Sequence, residues 1–97
     1  MANESKRTTD VVEIIRLRLA KLSHTDAVAK INELAARLKL ENVQVYRHVF
    51  VEGDISIHLR HPDARFDTES KGRGPALLLK EYGLVSYSRW ASADEPG

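Results

Sequence analysis

The hydrophobic pattern of this chain predicts an α+β domain in the order β-α-β-β-α-β. Three observations carry that reading. Apolar and polar residues alternate over 15–19 and 55–60, and valines recur at every second position over most of 43–51, the two-residue period of strands with one buried face. Apolar residues recur at spacings of three and four from Ala27 to Leu38, the period of a helix. A second helical stretch lies between Pro75 and Gly83 and runs into the strand-like "LVSYSRWAS". With 97 residues, of which 42% are hydrophobic and 30% charged, the chain has the composition of one soluble core rather than two or a disordered polymer.

In the first strand Ile15, Leu17 and Leu19 alternate with Arg16 and Arg18. A helical wheel also gathers Val11, Ile14, Ile15, Arg18 and Leu22, but the R-L-R-L alternation and the β-branched start favour a strand. Ser23 then opens a helix in "SHTD": its hydroxyl can accept from the amide three residues on, and Asp26 suits the positive helix end. Ala27, Ile31, Leu34 and Leu38 form the inward stripe, and Glu33 stands one turn before Arg37. The helix is expected to end near Leu40 or Glu41, with Asn42 as a left-handed terminator.

Val43, Val45, Val49 and Val51 share one side of the next segment, opposite Gln44, Tyr46, His48 and Phe50. Ile55, Ile57 and Leu59 then alternate with Ser56, His58 and Arg60. A tight turn at Glu52, Gly53 and Asp54 predicts a hairpin pairing Val51 with Ile55 and Val49 with Ile57, which sets His48 across from His58. "HPDARFDTESKGRG", 61–74, reads as a long mobile connection. Pro75 suits the first position of the second helix, Leu78 and Leu79 are expected inside it, and Gly83 is the expected left-handed stop with Leu84 folding back. In the last strand Val85 and Tyr87 compete with Ser86, Ser88 and Trp90 for the inward face.

Right-handed crossovers put both helices on one face of a four-stranded antiparallel sheet, the split β-α-β arrangement of ferredoxin-like folds. The other face is open. The expected organisation is a flexible tail over 1–9, one domain over 10–92 and a second tail over 93–97. Without cysteine there is neither a disulfide nor a thiolate metal site. No apolar run reaches membrane length, and the polar "MANESKRTTD" lacks a secretory stretch, so the expected location is the cytoplasm.

Two phrases, "VYRHVFVEGDISIHL" as the central hairpin and "LLLKEYGLVSYSRW" as a helix-Gly-strand ending, together with the element order resemble the dimeric α/β-barrel superfamily, which includes antibiotic-biosynthesis-monooxygenase-like proteins. The resemblance covers residues 11 to 92. It implies a homodimer whose sheets face each other with the helices outside, and it implies monooxygenase-like chemistry without a cofactor. Family members often hold a ligand between sheet and helices. No catalytic residue is carried over.

If Ile15, Leu17 and Leu19 face the helices, then Arg16, Arg18, Tyr46, His48, His58 and Arg60 assemble on the open face. That combination suits a small anionic or aromatic ligand, because guanidinium forks match carboxylate and phosphate. His48 and His58 are the candidates for proton transfer in an enzyme of this kind. As a cross-strand pair they have two imidazoles for a metal but no well-placed third ligand, since Asp54 lies in the turn and Asp63 beyond Pro62; neither metal nor cofactor is expected. "HLRH" at 58–61 is not a metal motif on a strand, where residues three apart point to opposite faces unless a bulge intervenes. "SKGRGPA", 70–76, places Lys71 and Arg73 among glycines before a helix and offers amides to a phosphate, though it lacks the Walker pattern. Exposed apolar area on a one-layered sheet favours a homodimer through the open face. The competing reading is a single-stranded RNA-binding module using Tyr46, Phe50 and the arginines. A formal charge of +1 and the absence of an RNA-recognition strand motif weigh against nucleic acid.

Overall fold

The structure is a computed structural model that describes residues 8–65 and 69–93. Most of the two expected tails (1–7 and 94–97) and part of the 61–74 connection (66–68) lie outside the described residues. The elements are β1 (Thr8–Leu19), α1 (His24–Arg37), β2 (Val43–Arg47), β3 (Asp54–Arg65), α2 (Arg73–Leu79) continued by a 3-10 turn (Lys80–Tyr82), and β4 (Gly83–Ala91). Their order is the β-α-β-β-α-β of the sequence reading. The sheet runs β2-β3-β1-β4 with every neighbouring pair antiparallel, so this is a ferredoxin-like α+β domain.

Alternation decides the two faces. Ile15 and Leu17 of β1, with Ile55, Ile57 and Leu59 of β3, meet Ala27, Ile31 and Leu34 of α1 and Ala76 and Leu79 of α2 in one core. Both helices therefore cover the same face. Val85 and Tyr87 pack against that core from β4, which settles the inward side of the last strand. The buried hydrophobic side chains are all aliphatic and nine of the twelve are under 4% exposed, so burial at roughly 25 cal/mol per Å² of apolar surface dominates the stability. At the start of α1 Ser23 adopts an extended backbone and its Oγ accepts from the Asp26 amide at 3.2 Å, as the capping pattern predicts. Asn42 has a left-handed φ of 56° and so does Lys39 at 55°; together they turn the chain out of the helix into β2.

Four local expectations are corrected. First, β2 stops at Arg47, and the hairpin pairs Val45 with Ile57 and Arg47 with Ile55, a register four residues away from the expected one. A shift of four preserves which side chains face the core, so the alternation could not reveal it. The connection is a six-residue loop, 48–53, and the residue across from His58 is Gln44. Gly53 does take the positive φ, 88°, and its carbonyl accepts from the Leu19 amide at 2.8 Å.

Second, residues 61–65 are strand: β3 runs on to Arg65, and β1 begins at Thr8 to pair with it. The register shifts between Thr9 and Val11, where β3 carries one extra residue and Asp63 sits at φ 55°. Third, Gly83 is extended (φ 165°), not a left-handed stop. Its requirement is steric: a Cβ there would lie 1.9 Å from the Arg18 carbonyl oxygen. Fourth, Leu78 is half exposed and Leu84 is 75% exposed, so only Leu79 of the expected apolar set fills the core from this region. The short α2 has one buried side, and positions 77 and 78 fall off it.

Candidate functional site

Two polar assemblies sit on opposite faces of the sheet. On the open face, the even-numbered positions of β1 place Arg16 and Arg18 beside Ser56 and Asp54 of β3 and beside Ser86 and Leu84 of β4. With Tyr46 and Arg47 of β2 and His48 they line an open concavity of about 350 Å³. Arg18 Nε donates to Asp54 Oδ1 at 3.0 Å and Nη2 to Oδ2 at 3.4 Å. This two-pronged contact holds the Asp54 carboxyl below its ordinary value and raises the guanidinium. Arg47 Nη1 lies 3.2 Å from His24 Nε2. Arg16 has no side-chain hydrogen bond or ion pair among the described residues.

His48 is placed by its own loop. Its Nδ1 accepts from the amides of Phe50 (3.0 Å) and Val51 (2.9 Å), while its own amide donates to the Asp54 carbonyl at 2.8 Å. Two donors converging on Nδ1 assign the proton to Nε2, on the ring edge away from the loop amides. The imidazole is therefore a clamp for the loop and a hydrogen-bond donor on its other edge.

His58 lies on the same sheet face, outside the concavity's lining. Its ring centroid is 4.8 Å from that of Tyr46, tilted by 56°, and Ser56 Oγ is 2.9 Å from its Nε2. Arg60 is exposed further along β3 and also has no side-chain partner among the described residues. Of the six residues expected to form a site, Arg16, Arg18, Tyr46 and His48 are brought together; His58 adjoins through Tyr46, and Arg60 stands apart. The expected cross-strand pairing of His48 with His58 does not form, because the hairpin register differs.

The helix-side assembly was not anticipated. Glu13 continues the inward set of Val11, Ile15 and Leu17 and is 1% exposed. Five groups donate to its carboxylate. Oε1 receives His61 Nε2 at 2.7 Å and the Lys71 amide at 2.9 Å. Oε2 receives Ser70 Oγ at 2.5 Å, the Gly72 amide at 3.0 Å and the Tyr87 hydroxyl. Burial alone would push this carboxyl up, but the hydrogen bonds from Ser70, Tyr87, Lys71 and Gly72 outweigh it and hold the group at about 2. Burial, with the bond to Glu13, raises Tyr87. A carboxylate so stabilised is ionised across the neutral range and too weak a base to move protons; it anchors the start of α2 to the sheet.

This cluster also answers two sequence expectations. The amides of "SKGRGPA" do bind an anion, but the anion is Glu13 of the same chain, so no phosphate nest is left open. In "HLRH", His61 points to the helix side and His58 to the open side, because the bulge falls after His61 and does not bring them together. Among the described residues no three His, Asp or Glu side chains gather so as to hold a metal ion. Every buried side-chain nitrogen and oxygen among them has a hydrogen-bond partner. A signal for Glu13 and His61 did exist: each lies at an inward position of its strand's alternation, where a charged residue requires a partner.

Between sheet and helices, the space lined by Ile15, Ile31, Leu34, Ile57 and Leu79 amounts to about 10 Å³, less than a small ligand needs. Among the described residues no helix is long and apolar enough to cross a membrane. Comparison with protein-family models, with curated proteins and with solved structures finds no match. What fold and site together define is a small ferredoxin-like domain with a closed helix side and a basic, open sheet side.

Proposed function

We propose that two copies of this domain pair through their open sheet faces and hold a small anionic molecule, a carboxylate or phosphate on an aromatic or apolar body, in the Arg16, Arg18 and His48 concavity. The observation that carries this reading is the charge balance of the concavity: two arginines, Arg16 and Arg18, face one carboxylate, Asp54, which Arg18 already holds, and the Arg16 guanidinium makes no hydrogen bond or ion pair among the described residues. Tyr46, Leu84 and the Nε2 edge of His48 supply apolar surface and a further donor. About 350 Å³ accommodates a small organic anion. The pairing of sheets, which the resemblance to dimeric α/β barrels implies, would exclude water and strengthen each charged contact. The near-absence of space between sheet and helices favours a ligand between sheets over one inside the domain.

Binding is preferred here to catalysis. His48 has its Nδ1 committed to two amides, and no carboxylate bonds to either open-face imidazole to orient it as a base. Thermal-shift screening with phosphate, aliphatic carboxylates and aromatic acids, followed by amide NMR titration, tests the proposal. Stabilisation by at least one class, with shifts at Arg16, Tyr46 and His48 that vanish in Arg16→Gln, is the expected result; no response to any class ends it. Exposure of Tyr46 and Trp90 beside arginines favours single-stranded RNA as the second reading. Saturable binding of an oligonucleotide at low salt, without a response to small anions, would replace the first reading with this one.

A further inference from the structure

The loop between β2 and β3 presents an apolar tip that the described residues leave largely exposed. Val49 is 85% exposed, Phe50 90% and Val51 43%. The tip is nonetheless built rather than loose. His48 Nδ1 takes the amides of Phe50 and Val51, the Asp54 amide donates to the Val51 carbonyl at 3.4 Å, and Gly53 is tied to Leu19 at the end of β1. A phenylalanine held this far into water by its own loop's hydrogen bonds is a preformed contact residue, and its ordering cost is already met within the folded chain.

We infer that the Val49–Val51 tip is an arm that clasps a second copy of this chain, closing over that copy's open sheet face; the inference rests on the sheet-to-sheet pairing proposed above. Two observations select this occupant. The first is area. Strands of 12, 12, 9 and 5 residues give the open face a footprint of roughly 600 Å², at about 3.4 Å per residue and about 4.8 Å between strands. Twisted sheets meet over only part of such a footprint. A stable interface takes about 800 Å² of accessible surface from each partner, which a partly overlapping flat face of this size supplies with little to spare, and the two arms of an isologous pair add apolar surface to it. The second is complementarity. The segment from Val49 to Gly53 carries one charge, Glu52, and it is negative. The face that would receive it carries Arg16 and Arg60, neither hydrogen-bonded through its side chain among the described residues, along with Leu84 at 75% and Trp90 at 59% exposure.

Sedimentation velocity and light scattering over a range of protein concentrations, on the wild type and on Phe50→Asp, decide the matter. The expected result is a wild-type dimer whose dissociation constant rises by about 30-fold or more in Phe50→Asp, as for a buried aromatic anchor. Val49→Asp should show the same direction, and circular dichroism should show both variants folded, since each site is fully solvated in the isolated domain. Leu78→Asp, on the helix side, should leave the association unchanged. If the wild type dimerises and both tip variants dimerise equally well, the arm is refuted while sheet pairing stands. If Leu84→Asp alone dissociates the dimer, the faces pair without the tip, which also refutes the arm. A wild type that stays monomeric at every concentration overturns the pairing and the arm together.

Discussion

Glu13 and Arg16 lie three residues apart on one strand and on opposite faces of one sheet, yet they meet opposite fates. Around Glu13 five donors converge on two oxygens, the group is almost wholly buried, and neither oxygen lacks a donor. Around Arg16 the neighbouring charges are partly matched, one guanidinium by Asp54, and the surface is open. A closed polar network is spent on holding the fold together, whereas an unfinished one is available to a ligand or a second chain. Perturbed ionisation at Glu13 therefore marks structure, and the open arginine face is the better candidate for function.

Breaking the closed network gives the largest expected effect. Glu13→Ala leaves Ser70, Tyr87, His61, the half-buried Lys71 amide and the buried Gly72 amide without their acceptor, and should cost about 3–5 kcal/mol in urea or thermal unfolding, a large part of a domain's total stability. Acid should do the same by titration. The Glu13 carboxyl sits near 2 in the folded state against 4.5 without the fold, so the native state takes up the proton less readily than the unfolded chain. Its contribution is complete above about pH 5 and drains away as pH falls from 4.5 toward 2, amounting to about 3 kcal/mol. Unfolding midpoints measured from pH 6 to pH 2.5 should fall steeply in the wild type and much less in Glu13→Gln. Tyr87→Phe, which removes one donor of five, should lose about 1–2 kcal/mol. On the open side, Arg16→Gln should move unfolding by no more than about 0.5 kcal/mol and yet abolish the response to small anions. A large stability loss in Arg16→Gln would erase the distinction between the two faces.

Element order, helix stripe and strand faces were legible because they follow from periods that a few side chains establish, such as Arg16 and Arg18 between Ile15, Leu17 and Leu19. Strand register was not. Val49 and Val51 match Ile55 and Ile57 in pattern as well as Val43 and Val45 match Leu59 and Ile57, and only the loop's own bonding through His48 decides between them. The open-face residues were legible as a set, since period alone assigns them a side; their partners were not, because Asp54 becomes the partner of Arg18 only once the register is known. Glu13 escaped notice because a carboxylate amid inward-facing valine and isoleucine breaks the pattern, and its five donors come from three separate stretches of chain.

The uneven lengths of β2 and β3 have a consequence for how this protein keeps to itself. β2 covers β3 only from Asp54 to Leu59, and beyond the Arg60 amide bonded to Asn42 the outer rim of β3 runs on to Arg65 with no strand beside it among the described residues. A bare strand rim is a template on which further chains can stack into fibrils. Here Pro62 has no N–H to offer, and Asp63, turned left-handed at the bulge, puts a charge and a kink in the path of an incoming strand. The sheet's growth is thus stopped laterally at this rim, and its broad face is left as the surface on which orderly association can occur.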